Sequence, residues 1–158
     1  MALVTDRLDA PPDAVAAVMR DGWTYAAWVV GASRVRGVDA GWPAPGSRVH
    51  HSVGTWPLLI DDHTRVLECT LAPDGTGRLV LQARAWPAGE ATVAFELAAD
   101  GSGTRVTLSE DATRGPATLL PRPIRSALLR ARNRETLQRL APLAQARAQA
   151  HVPAEDRS

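Results

Sequence analysis

Glu110 follows Leu108 by two residues and Val106 by four, so in a strand its carboxyl shares a face with two apolar side chains. The same parity puts His51 with Val49 and Val53, and Asp6 with Val4 and Leu8. In the C-terminal third, Asn133 and Thr136 fall among Leu129, Leu137, Leu140 and Ala144 at helical spacing. Each interrupts an apolar surface, and a buried polar group needs a partner. A desolvated carboxyl has a raised pKa, so Glu110 or His51 is the candidate acid–base group if the chain is catalytic. Without catalysis, the same residues are polar anchors in an apolar pocket. The plainer alternative puts Glu110 at a strand end near solvent and has Asn133 bonding backbone.

Other chemistries find little support. His50 and His51 are adjacent in a strand and point to opposite faces, so they cannot share a metal. His63 beside Asp61 and Asp62 is a better trio, expected in a loop or at a strand edge, but no spaced Cys/His set or HExxH occurs. No metal and no cofactor are expected. There is no GxSxG, and Cys69 sits in an apolar strand as a structural thiol. The DGTG and DGSG sequences lead into strands and read as hairpin turns.

The 158 residues suit one domain, and 45% apolar against 22% charged residues excludes disorder along most of the chain. No apolar run approaches the roughly 18 residues of a membrane span. No signal peptide is visible, and one cysteine excludes an internal disulfide; a reduced cytoplasm is the expected compartment. Net charge is +1, with every basic residue an arginine. That charge is segregated: residues 1–113 carry −5 and residues 114–150 carry +7. Arg125, Arg132 and Arg139 share one side of the basic segment, while Arg130 and Arg134 lie on another, with no aromatic residue for stacking. Nucleic-acid binding is therefore not expected.

Several elements must position these groups. Leu3–Leu8 reads as a strand, and Pro11-Pro12-Asp13 opens a helix with Val15, Val18 and Met19 on one stripe. Asp21-Gly22 stops it, and Trp23–Val30 reads as a second short helix. From Ser33 to Thr113 the period becomes two, with turn residues about every ten positions, which describes an antiparallel meander. Pro121-Arg122-Pro123 starts a long helix to about Ala148, with a bend expected near Gln138–Pro142. Residues 1–150 form one domain and 151–158 a flexible polar tail.

This order resembles the START-like (SRPBCC) superfamily, in particular its polyketide cyclase/dehydrase-type members. The resembling residues are Leu8-Asp9-Ala10-Pro11-Pro12-Asp13-Ala14-Val15, Trp23 to Trp28, Pro45-Gly46-Ser47, Gly103-Thr104-Arg105-Val106-Thr107 and Asn133-Arg134-Glu135-Thr136-Leu137. The resemblance implies an α+β helix-grip fold: a curved antiparallel sheet of about seven strands around a long C-terminal helix, with two short helices after the first strand. It also implies an apolar cavity between sheet and helix, expected at several hundred Å³. Its expected lining is Leu81 and Ala83 from one strand, Val93 and Phe95 from the next, and Leu108 from the last. The helix would add Asn133, Thr136, Leu137 and Leu140. The expected partner is a small hydrophobic molecule, lipid- or polyketide-like. An aromatase/cyclase or dehydratase using that cavity, and a partner-binding module acting through its surface, are the alternatives. Oligomeric state is left open.

Overall fold

The computed structural model describes residues 1–85 and 89–150. Trp86, the Pro87-Ala88 part of a hairpin turn and the expected polar tail lie outside them. Seven strands form one antiparallel sheet: β1 (Ala2–Leu8), β2 (Ala32–Val38), β3 (Arg48–Thr55), β4 (Leu58–Cys69), β5 (Gly77–Ala85), β6 (Gly89–Asp100) and β7 (Gly103–Arg114). Their order across the sheet is β1-β7-β6-β5-β4-β3-β2, so every pairing but β1–β7 is a hairpin or meander neighbour. The hairpins follow from turn chemistry: Gly89 has φ +132°, and a Cβ there would lie 1.9 Å from the Arg114 carbonyl oxygen. Together with α1 (Pro12–Arg20), α2 (Tyr25–Trp28) and α3 (Arg122–Ala150), this is the α+β helix-grip architecture.

The second short helix is smaller than its apolar run suggests. A 3-10 turn over Gly22–Thr24 precedes α2, because the Asp21 carboxylate accepts from the Trp23 N–H and holds the chain in a tighter turn. Trp28 is buried edge-on against Phe95, with ring centroids 5.6 Å apart. Trp23 faces solvent. α3 continues through Pro142 and buries Asn133, Thr136, Leu137, Leu140 and Ala144. Its far end is tied down by Arg147 Nη2, which donates to Asp21 Oδ2 at 2.6 Å.

Asp6 corrects the parity reading. It shares a face with Val4 and Leu8 yet is exposed, because β1 lies at the sheet edge and its carboxylate turns back to accept the Arg7 N–H at 2.8 Å. His63 is also displaced from expectation. It lies within β4 opposite His50, with Asp61 on its own face and Asp62 on the other. Asp62 Oδ1 still comes within 4.0 Å of His63 Nδ1, but among the described residues no group of three His, Cys, Asp or Glu side chains could hold a metal.

Candidate functional site

β7 carries Glu110 on the face that α3 covers, directly across from Val93 of β6 and two residues from Leu108. The strand's alternation leaves no choice of face, so the carboxylate is 1% exposed despite its charge. α3 supplies the counterion: Arg132 Nη2 donates to Glu110 Oε1 at 2.7 Å. Burial pushes the Glu110 pKa up, opposed first by Arg132 and then by Asn133. The Asn133 amide is near enough to favour the charged carboxyl. Its Nδ2 and Glu110 Oε2 nevertheless lack hydrogen-bond geometry, and neither atom has a partner.

A second polar group lies on β3 and β4. His51 Nε2 is 3.0 Å from Thr64 Oγ1, and the Tyr25 hydroxyl is 2.7 Å from the same oxygen. The Tyr25 ring stacks on the imidazole at 5.3 Å. Burial drives the His51 pKa down to about 4, against the pull of Asp62, its cross-strand neighbour, so the ring is neutral near pH 7. Burial likewise pushes the Tyr25 hydroxyl up to about 12.

Between these groups runs a narrow cleft, and the expected cavity of several hundred Å³ is not formed there. The sheet contributes Leu81, Ala83, Val93, Phe95, Leu108 and Glu110, and the helices contribute Tyr25, Arg132, Asn133 and Thr136. Its closed interior has room for no more than about one or two waters. Two further spaces adjoin it, one under Leu129 and Ala117 and one against His51 and Val53. Ala83 and Arg132 line all three. Ala83 and Arg132 thus stand where the three small spaces adjoin.

The structure gathers Leu81, Ala83, Val93, Phe95, Leu108, Asn133 and Thr136 around one cleft. Leu137 and Leu140 do not line it; both are fully buried in the hydrophobic core. Glu110 and His51 do not share a space, so they form no acid–base pair around one reacting atom. Sequence reasoning placed Arg132 only among the arginines of the basic segment, with no role at the site, and gave Tyr25, with Trp23 and Trp28, core or rim packing or else a pocket mouth or interaction patch. Arg132 directly precedes Asn133, a flank position whose reach toward the sheet depends on how α3 crosses it. Tyr25 carried a signal in its place between Trp23 and Trp28. The outcome is an apolar-walled cleft with hydrogen-bond donors at one side: the Arg132 guanidinium, the unpartnered Asn133 amide and the Thr136 hydroxyl.

A family model described as polyketide cyclase/dehydrase and lipid transport matches residues 2–145. A sequence search of curated proteins finds no match. Among solved structures, a protein of Nitrosomonas europaea is 20% identical with a TM-score of 0.68, over 94% of this chain and 96% of that one. The Zhui aromatase/cyclase of Streptomyces sp. R1128 is 18% identical with a TM-score of 0.62, over 98% and 96%. A protein of Thermus thermophilus is 16% identical with a TM-score of 0.62, over 92% and 97%. These likenesses concern the fold.

Proposed function

We propose that this chain, which belongs to the polyketide cyclase/dehydrase and lipid transport family, binds a small apolar molecule in the cleft between β5–β7 and α3. The observation that carries the reading is the asymmetry of the cleft wall. Aliphatic and aromatic carbons make up most of it, and donors gather where Arg132 meets Asn133. An apolar body with one acceptor group, a carbonyl or hydroxyl oxygen, matches that layout. Such an oxygen would take the Asn133 N–H that the protein leaves unused, and an unmade buried hydrogen bond is costly enough to reward a ligand that makes it. Room for such a molecule requires the cleft to join its two neighbours, and Arg132, which borders all three, is the side chain that has to move.

A cyclase or dehydratase using the same cleft is the second reading, favoured by the upward shift of Glu110. Against it stand the Arg132 ion pair, which favours the charged form of Glu110 against the upward push of burial, and the separation of His51 from that carboxyl. Glu110→Gln decides between them. For a binder, Nile red affinity changes by no more than about tenfold, as expected for one hydrogen-bonding anchor, and candidate polyketide-like ligands are recovered unchanged. A reaction that slows about a hundredfold or more in Glu110→Gln with affinity intact would replace binding by catalysis.

A further inference from the structure

Several of the exposed large apolar side chains lie toward one end of the sheet, although Trp23 and Leu67 are exposed away from it. β3, β5 and β7 end, and β4 and β6 begin, at one end of the sheet. At the β3–β4 turn there, Trp56 is 84% exposed and Leu58 80%. The link from β7 into α3 adds Leu119, 85% exposed, and Leu120. Ile124 and Leu128 follow four residues apart on the solvent side of α3, opposite the buried Asn133 and Leu137. Exposed aliphatic residues on the outer face of a helix whose inner face is already packed have no structural use in the monomer.

The charge around them is predominantly positive, although Glu135 follows on the Ile124–Leu128 side of α3, paired with Arg139. Residues 114–134 contain six arginines and no acid. Arg132 is engaged by Glu110, while Arg114, Arg122, Arg130 and Arg134 make no ion pair among the described residues. Acids near this end are engaged: Asp111 by the N-terminal amine, Glu90 by Arg84 and Asp61 by Arg36. The same end holds an opening to the inner spaces, between Leu129 and Ala117 of the α3 side and Ala91 and Ala112 of the sheet.

We infer that this end of the molecule docks on an anionic lipid bilayer, with Trp56, Leu58, Ile124 and Leu128 entering the headgroup boundary and the unpaired arginines meeting lipid phosphates. An apolar helix face edged by arginine, beside an indole, is the composition that interfacial binding uses. A folded protein partner with an acidic surface is the other occupant of such a patch, and the experiment below separates it from the bilayer. The docking does not depend on what occupies the cleft, so it stands or falls apart from the binding reading.

The experiment is flotation of the full chain with vesicles of equal parts phosphatidylcholine and phosphatidylglycerol. Binding is expected, weakened by salt and much weaker on pure phosphatidylcholine. The paired change Arg130→Gln/Arg134→Gln should lower partitioning roughly tenfold or more. Ile124→Glu/Leu128→Glu should abolish it; both sites are exposed, and circular dichroism checks the fold. No flotation with anionic vesicles at low salt would overturn the inference. So would flotation unaffected by either pair of changes, equal binding to neutral vesicles, or association with an acidic polypeptide but not with the vesicles.

Discussion

Glu110 and Arg132 meet at 2.7 Å on unequal terms: the carboxylate is 1% exposed, whereas the arginine side chain keeps 36% of its surface in water. Only the acid has nowhere else to go. Arg132→Ala would strand a buried charge, and breaking a buried pair from one side costs about 3–5 kcal/mol. The half-open arginine, screened by solvent, reduces this to about 2–4 kcal/mol. Glu110→Gln leaves an arginine that can turn to solvent, so stability at pH 7 should change by less than about 1 kcal/mol. Urea denaturation of the two variants reads the difference directly; equal losses would mean that the pair is not asymmetric.

Acid stability should carry the marks of both titratable groups. An unfolded histidine binds its proton below about pH 6.5, but folded His51 does so only near pH 4. Between those values the unfolded state holds more protons, so this group's contribution falls as pH drops, by up to about 3 kcal/mol. Glu110 acts oppositely. Its folded pKa lies above the ordinary 4.5, so stability falls as pH rises through that interval. Urea midpoints from pH 4 to pH 7 should therefore fall more steeply on acidification in Glu110→Gln and more shallowly in His51→Gln. Identical slopes in all three proteins would show that neither group is buried in the ionisation sense argued above.

Period-two parity placed Glu110 and His51 inward because strand geometry allows no other face, and helical spacing did the same for Asn133 and Thr136. The order of elements made the helix-grip architecture legible, and the family model matches residues 2–145. Asp6 escaped the rule since an edge strand lets a side chain reach solvent while keeping its parity. Arg132 was illegible for a different reason. Its contact with Glu110 arises from the crossing of α3 over β7, a tertiary relation that no local pattern encodes. The segregation of apolar rim residues was equally hidden, because residues 56, 119 and 124 become neighbours in kind only when the strand ends line up.

The central claim is that an apolar molecule occupies the cleft between sheet and α3, and Ala83 is the place to test it. This small side chain borders the cleft and both adjoining spaces. Nile red titration of the native chain and of Ala83→Phe is the direct measurement. The added ring should abolish probe binding while costing about 1–3 kcal/mol from overpacking, leaving the domain folded. A folded Ala83→Phe protein that binds the probe with native affinity would place the ligand elsewhere and contradict the account.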